Sequence, residues 1–249
     1  MLRKLVKNRL AGLNVKNSIS LIICSLVCLS VSADEGIQEI ERALHSMTPI
    51  IKPSTIEKSP IKDVYLVTVG ENAFYVAKQD GFLIMGNIYD LDRNVYLLAE
   101  RWNQLIKKAI DTMPLNKMLV ISPAKAKRFI TVFTDVDCVF CRRFHEEVGQ
   151  LNRAGLEVRY LLYPGAGIQS ESYERLVSVW CADDQVQALT DAKRGKSLPS
   201  KNCDNPVAAH FRLGQDIGLK GTPWIVLDNG KVISHYIAVS ELLEEVGLN

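Results

Sequence analysis

The sequence has few aromatic residues, no excess of one charge and no apolar run long enough to cross a membrane. Aromatic residues make up 7% of its 249 residues, and its 30 basic residues are nearly balanced by 28 acidic ones. A nucleic-acid-binding surface would need a basic patch, so nucleic acid is not expected as a partner. The main apolar run, 19–29, is shorter than the ~20 residues that span a bilayer.

The first 33 residues have the layout of a secretory signal peptide. They contain five basic residues and no acidic one, then the apolar run, and they end in the small residues Val31-Ser32-Ala33. We therefore predict that residues 1–33 direct export and are removed; an uncleaved anchor is the alternative. Neither Cys24 nor Cys28 follows the small residue of a lipoprotein signal, so a lipid anchor is not expected.

Residues 34–92 predict a small α+β domain with an antiparallel sheet. The periodicity and the turn residues predict a helix over 34–46 and strands over 63–69, 73–77 and 82–85. A single core is marginal in a chain of about 60 residues, so we expect this domain to pair with a second copy. An amphipathic pattern over 94–111 then predicts a linker helix, assigned to 93–113.

Residues 114–249 predict a second domain in which strands and helices alternate, as in α/β proteins. A strand, a helix and a strand at its start predict a βαβ unit with parallel strands. The predicted elements are a strand over 128–134, a helix over 138–153, a strand over 156–163, a mostly helical stretch over 169–218, a hairpin over 224–236 and a last helix over 241–246.

Four of the six cysteines lie outside the predicted signal peptide: Cys138, Cys141, Cys181 and Cys203. An even number in an exported protein favours disulfides, and the two close and the two distant cysteines are the natural pairs among three possible pairings. Cys181 and Cys203 are interpreted as a structural disulfide that holds the segment 182–202, which has few apolar anchors; a second redox pair is the alternative.

Cys138 and Cys141 follow a predicted strand and open a predicted helix. Unpaired backbone N–H groups and the helix dipole favour an anion there, and they can lower a thiol pKa from ~8.5 to ~3.5–7.5. We predict that Cys138 is the attacking thiolate and that Cys141, more buried, resolves mixed disulfides. Arg142, Arg143 and His145 add possible positive charge nearby.

Two other interpretations of the close cysteine pair are an inert disulfide and half of a zinc site. Zinc is disfavoured because a second close cysteine pair is missing, and no metal or other cofactor is expected. Thr222-Pro223 precedes a predicted strand, where the proline is either a cis peptide in a tight turn or an ordinary trans turn residue. His145 either tunes the cysteine pair or is structural, and the remaining histidines are interpreted as structural.

The ordered set of these motifs resembles the DsbC family of bacterial periplasmic disulfide isomerases. The C-terminal part of the resemblance rests on Phe133-Thr134-Asp135 before the cysteine pair, on the Gly221-Thr222-Pro223 loop and on the two distant cysteines. The segment Gly86-Asn-Ile-Tyr-Asp90 after a hairpin, followed by a linker helix, is similar to the dimerisation domain of that family. The resemblance covers nearly all of the chain after the predicted signal peptide.

The resemblance implies a homodimer joined through cystatin-like N-terminal domains, with C-terminal thioredoxin folds that carry a helical insertion. It implies an apolar cleft for misfolded disulfide-containing exported proteins and a membrane thiol reductase of the DsbD type as partner. By position, Cys138 and Cys141 correspond to the nucleophile and the resolving cysteine, Thr222 and Pro223 to the substrate-binding cis-proline loop, and Cys181 and Cys203 to the structural disulfide.

One departure from the family concerns the residues between the active cysteines, which are Val139-Phe140 where typical members have Gly-Tyr. This dipeptide helps to set the redox potential, so it bears on isomerase strength. The leading hypothesis is a periplasmic disulfide isomerase and reductase. The alternatives are a thiol oxidase that donates its disulfide, and a chaperone-like binding protein, which includes a DsbG-like relative that protects single thiols.

Overall fold

The structure, a computed structural model, describes residues 32–47, 53–70 and 72–248. Residues 1–31 of the predicted signal peptide lie outside the described residues. Contacts divide the chain into two compact units, one up to Ile88 and one from Tyr89 onward. None of the described helices combines the length and the apolar character that crossing a membrane requires.

The first unit is a helix packed on an antiparallel sheet of four strands in the order β1-β2-β3-β4. Ile40 and Leu44, one turn apart on the helix, are buried against Tyr65, Val67 and Val76 of the sheet. The elements are α1 (Ser32–Met47), β1 (Thr55–Lys58), β2 (Val64–Val69), β3 (Asn72–Ala77) and β4 (Phe82–Ile84).

The prediction of three strands in this unit is wrong, because β1 also belongs to the sheet. It pairs with β2 from Thr55↔Thr68 to Lys58↔Tyr65. The segment has charged residues and lies among prolines, so it lacks the alternating apolar pattern of a strand. At the edge of a sheet, charged residues are tolerated because one side of the strand faces water.

Strand β4, at the opposite edge of this sheet, exposes a row of apolar side chains. Phe82, Leu83 and Ile84 are all exposed, and Met85 after them is 85% exposed. Within the described residues β4 pairs only with β3. An exposed apolar edge strand is typical of a surface that pairs with another chain.

The second unit begins with a hairpin of β5 (Tyr89–Asp90) and β6 (Val95–Tyr96), followed by α2 (Leu97–Asp111). The predicted start of this helix at residue 94 is therefore wrong, because Val95 belongs to a strand. Ile106 and Ile110 of α2 are buried in a cluster that also contains Trp224. The predicted linker helix thus packs within the second unit.

The second unit contains a five-stranded sheet in the order β11-β10-β8-β9-β7. Its strands are β7 (Leu119–Ile121), β8 (Arg128–Thr134), β9 (Leu156–Leu162), β10 (Trp224–Leu227) and β11 (Val232–Ile233). Strands β8 and β9 are parallel and are joined by α3 (Val139–Ala154), while the other pairs are antiparallel. The predicted βαβ unit is confirmed, and Phe144, Val148 and Leu151 of α3 are buried as predicted.

The remaining helices of the second unit are α4 (Glu171–Trp180), α5 (Gln185–Lys193), α6 (Val207–Asp216) and α7 (Val239–Glu245). The expectation that 182–202 has few apolar anchors is wrong for α5. The Asp184 side chain caps this helix by accepting from the Gln187 N–H at 2.9 Å. Leu189 and Ala192 are fully buried. Apart from Leu189, the buried apolar residues of this helix are alanines, which makes its apolar side inconspicuous in the sequence.

Candidate active site

The candidate site lies where strand β8 passes into helix α3. Cys138 is the N-cap residue of α3, with extended backbone angles, and its Sγ accepts a hydrogen bond from the Cys141 N–H at 3.2 Å. A thiolate is a good cap because the first turn of a helix has unpaired N–H donors and a positive dipole end. The helix ends at Gly155, whose φ of 98° is a left-handed conformation that glycine adopts without strain.

Asp135 fixes the turn between β8 and α3. Its carboxylate accepts hydrogen bonds from the Asp137 N–H at 3.2 Å, from the Gly165 N–H at 2.7 Å and from the Ser172 hydroxyl. The turn is therefore tied to the loop after β9 and to α4. Because Cys138 follows this turn directly, the position of its sulfur depends on a buried hydrogen-bonded network rather than on a mobile loop.

The surroundings of Cys138 favour its thiolate. They lower its pKa from 9.0 to about 5, mainly through a hydrogen bond from the Cys141 side chain. Hydrogen bonds from the Thr222 side chain and the Cys141 N–H, together with the charge of Lys193, act in the same direction, whereas partial burial opposes them. With such a pKa, most of the Cys138 sulfur is the nucleophilic thiolate at neutral pH.

Thr222 and Pro223 lie beside this sulfur, and their peptide bond is cis. The Thr222 carbonyl oxygen is 3.1 Å from Cys138 Sγ and accepts from the protonated thiol. Pro223 immediately precedes β10, which pairs with β8 from Trp224↔Phe133 onward. The loop predicted from Gly221-Thr222-Pro223 is thus brought next to the candidate nucleophile by the sheet.

Cys141 is fully buried one turn into α3. Its pKa is raised, first by burial and then by its hydrogen bond to Cys138. The two cysteines therefore differ in the way that a nucleophile and a resolving thiol require: one sulfur is anionic and partly exposed, and the other is protonated and buried.

The basic residues that the sequence placed near the cysteines have other partners. Arg142 donates to the Val136 carbonyl at 2.9 Å and pairs with Asp137 at 3.5 Å. The Arg143 guanidinium lies 4.5 Å from the centre of the Tyr236 ring. The cation whose charge lowers the Cys138 pKa is instead Lys193, 55 positions further along the chain. Nothing in the sequence distinguishes it from a surface lysine, so it is not among the predicted site residues.

His145 lies on the same helix as the cysteines and is held by two hydroxyl groups. Its Nδ1 is 3.1 Å from the Tyr160 hydroxyl and its Nε2 is 2.9 Å from the Thr190 hydroxyl. Burial, together with the nearby Lys193 and Arg194 charges, lowers its pKa to about 3, so it is neutral at physiological pH. His210 is fully buried and bonded to the backbone of Leu162 and Lys117, which is a structural role.

The two residues between the cysteines form an exposed apolar surface at the mouth of the site. Val139 is 71% exposed and Phe140 is 57% exposed. The Phe140 ring stacks on Tyr236, with 6.3 Å between ring centres. Glu147 accepts from the Tyr236 hydroxyl at 2.7 Å, which holds this second ring in place.

Cys181 and Cys203 are joined by a disulfide, with 5.8 Å between their Cα atoms. Cys181 ends α4, and Cys203 precedes α6. The bridge closes a segment that contains the whole of α5. In the chain-entropy model, a disulfide that closes a loop of this length stabilises the folded protein by about 3 kcal/mol.

Comparison with known proteins agrees with this arrangement. A family model described as "Thioredoxin-like domain" matches residues 115–245, and one described as "Disulfide bond isomerase protein N-terminal domain" matches residues 31–99. The thiol:disulfide interchange protein DsbC of Escherichia coli K12 is 31% identical over 194 residues, which cover 78% of this chain and 81% of that protein. DsbC of Salmonella typhimurium is 33% identical over 192 residues, which cover 77% and 80%.

Among solved structures, the disulfide interchange protein of Neisseria gonorrhoeae is 32% identical, with a TM-score of 0.49; the match covers 55% of this chain and 98% of that one. The two matching family models follow each other along the chain in the same order as its two structural units. The chain belongs to the DsbC family of thiol:disulfide interchange proteins.

Proposed function

We propose that the protein is a periplasmic disulfide isomerase and reductase in which Cys138 attacks and Cys141 resolves. The observation that carries the proposal is the contrast between the two sulfurs. Cys138 caps a helix with its pKa lowered to about 5, while burial raises the pKa of Cys141 beneath it.

The reaction begins when the Cys138 thiolate attacks one sulfur of a wrong substrate disulfide. A bond forms between Cys138 Sγ and that sulfur, the substrate bond breaks, and the other substrate sulfur leaves as a thiolate. If a second substrate thiolate then attacks the mixed disulfide, Cys138 leaves as a thiolate and the substrate bond is reshuffled. If Cys141 attacks instead, the substrate is reduced by two electrons and the Cys138–Cys141 pair is oxidised.

The low pKa of Cys138 favours isomerisation because it makes this sulfur a good leaving group. A thiol of low pKa leaves a mixed disulfide faster, so substrate thiols can displace it. The same property stabilises the reduced pair, which must be present before a wrong disulfide can be attacked. An oxidised pair would need an external reductant, and we propose a membrane thiol reductase of the DsbD type.

We further propose that two copies pair through the exposed edge of β4. Four consecutive exposed apolar residues, 82–85, follow this edge, and a second copy would bury them. A Leu83→Asp variant is expected to be monomeric by light scattering, whereas Glu57→Lys on the opposite edge strand is expected to keep the mass of the wild type. A monomeric wild-type protein would contradict the pairing.

Refolding of a scrambled protein with several disulfides tests the proposed activity. With a thiol buffer present, the wild type is expected to restore substrate activity, and Cys138→Ser is expected to restore none. Cys141→Ser should keep part of the isomerase activity, because substrate thiols can still release Cys138, but should lose reductase activity. Equal refolding by Cys138→Ser and wild type would rule out the proposal.

A second candidate function, binding of unfolded chains, is favoured by the exposed Val139 and Phe140 rim around the site. Such binding would concentrate substrate beside Cys138. Suppression of aggregation by a Cys138→Ser, Cys141→Ser variant would show that it is independent of thiol exchange. Aggregation equal to that without the protein would exclude it.

A further inference from the structure

Lys193, the last residue of α5, is a buried cation near the two cysteines. Its side chain is 4% exposed. The ammonium group donates to the Thr134 hydroxyl at 2.8 Å and to the Asp135 carbonyl at 3.0 Å. Both acceptors, a hydroxyl and a backbone carbonyl, are uncharged, and Lys193 forms no ion pair among the described residues. Burial of an ammonium group without a paired anion favours its neutral form.

Lys193 is bonded to the turn that leads into the helix of the two cysteines. It donates to the Asp135 carbonyl three residues before Cys138, and Cys141 lies in the first turn of that helix. The charges of the two groups also act on each other, since Lys193 opposes the rise in the Cys141 pKa. A general base has to lie within hydrogen-bond reach of the proton it accepts, directly or through one water.

A partly open cavity of about 120 Å³ gives Lys193 a connection to solvent. The cavity is large enough for water and is lined by polar groups, which is where ordered water is found in proteins. Its lining residues are Arg142, His145, Glu146, Thr190, Lys193 and Arg194. A proton taken up by Lys193 can therefore reach water without passing through the substrate side of the site.

The other ionisable groups around Lys193 have their own constraints. Asp135 binds two backbone N–H groups and the Ser172 hydroxyl, Arg142 pairs with Asp137, and His145 is held neutral. Burial lowers the pKa of Lys193 to about 8, although the nearby cysteines and Asp135 raise it. The groups whose charge acts on Lys193 are Asp135, Cys138, Cys141 and Arg142.

We propose that Lys193 accepts the proton of Cys141 when Cys141 resolves the mixed disulfide. The inference rests on the proposed exchange chemistry. Neutral Lys193 takes the Cys141 proton and becomes an ammonium ion. The Cys141 thiolate forms a bond with Cys138 Sγ, the bond from Cys138 to the substrate sulfur breaks, and the substrate leaves as a thiolate. Lys193 then loses its proton to water in the cavity.

This role also explains when the base becomes available. In the resting enzyme the Cys138 thiolate stabilises the Lys193 ammonium ion. Forming the mixed disulfide removes that negative charge, so the Lys193 pKa falls at this step. The amine therefore loses its proton when Cys141 has a disulfide to attack, and it keeps its proton while Cys138 waits for substrate.

Stopped-flow reaction with excess 5,5′-dithiobis(2-nitrobenzoate) separates the two chemical steps. The first release of thionitrobenzoate reports attack by Cys138 and depends on reagent concentration. The second is first-order and reports resolution by Cys141. The experiment uses the reduced full chain with Cys24→Ser and Cys28→Ser in every variant, so that the two cysteines of the predicted signal peptide do not react.

In the wild type, the second phase is expected to accelerate with pH and to level off near or below pH 8. In Lys193→Met it should be about 100-fold slower at neutral pH, within the range of general-base catalysis, and should rise with hydroxide without levelling off. Lys193→Arg keeps a cation that does not deprotonate, so it should be equally slow. The matched control Lys196→Met, an exposed lysine three residues away, should change neither phase.

A second phase with wild-type rate and pH dependence in Lys193→Arg would overturn the inference, because charge without proton acceptance would then suffice. The same result in Lys193→Met would also overturn it. If Lys193→Met does not fold, Lys193→Arg decides alone. Absence of a first phase in the wild type would instead contradict the proposed nucleophile Cys138, so the two failures are distinguishable.

Discussion

Ionisation of Cys138 should make the reduced protein more stable as pH rises, and Cys138→Ala should remove this effect. A group whose pKa is lower in the folded state stabilises that state fully above its unfolded pKa and loses this contribution as pH falls through the folded value. For Cys138 these limits are about 9.0 and about 5. Cys141, whose pKa is raised, is protonated in both states below pH 8, so it adds nothing in the window between pH 5 and pH 8.

The magnitude follows from the size of the shift. At ~1.36 kcal/mol per unit, moving from pH 5 to pH 7.5 corresponds to at most ~3.4 kcal/mol of unfolding free energy. Because Cys138 is partly exposed, solvent screens the interactions that lower its pKa. We therefore expect ~1–2 kcal/mol over this range.

Urea unfolding of both proteins under one reductant, at several pH values from about 4.5 to about 7.5, measures this contribution. Any reduction of the Cys181–Cys203 bridge affects both proteins alike and cancels in the difference. The free energy of unfolding of wild type minus that of Cys138→Ala is expected to grow with pH. A difference that stays constant over the range would refute the assignment of a thiolate to Cys138.

Three further predictions concern other parts of the site. Thr222→Val removes a side chain that hydrogen-bonds the Cys138 thiolate and should raise the Cys138 pKa, as measured by thiolate absorbance; an unchanged titration would contradict this role. Cys181→Ala, Cys203→Ala should lose about 3 kcal/mol of stability in urea unfolding, and a loss below ~0.5 kcal/mol would show that the bridge is not structural. Tyr236→Ala removes the ring stacked on Phe140 and should raise KM about 2- to 10-fold for peptides with aromatic residues beside the cysteine, at unchanged kcat; an unchanged KM would remove Phe140 and Tyr236 from substrate recognition.

The central part of the fold was predictable because its signals are local. A β-branched strand, a cysteine at a helix start and a second strand define the unit around Cys138, and the structure has the predicted order. The apolar side of α3 follows from helical spacing alone. The cysteine pair and the loop of Thr222 and Pro223 also stand out as short motifs, although only the sheet brings them together.

The missed features depend on contacts that are distant in sequence. Strand β1 carries charged residues because it lies at a sheet edge, and the buried apolar residues of α5 are two alanines and Leu189. Lysine is mostly exposed in proteins, so a buried Lys193 could not be inferred from its neighbours in the sequence. Conversely, Arg142 and Arg143 are close to the cysteines in sequence but have partners of their own.

The disulfide between Cys181 and Cys203 supports the chemistry of the other two cysteines. It joins the two ends of the span that carries Lys193, so the helix with the buried amine is held by a covalent bond as well as by its own packing. A protein that exchanges disulfides in other proteins therefore needs its own Cys181–Cys203 disulfide to stay intact. Any reductant that regenerates Cys138 therefore has to reduce the Cys138–Cys141 pair and leave the Cys181–Cys203 disulfide of the same domain oxidised.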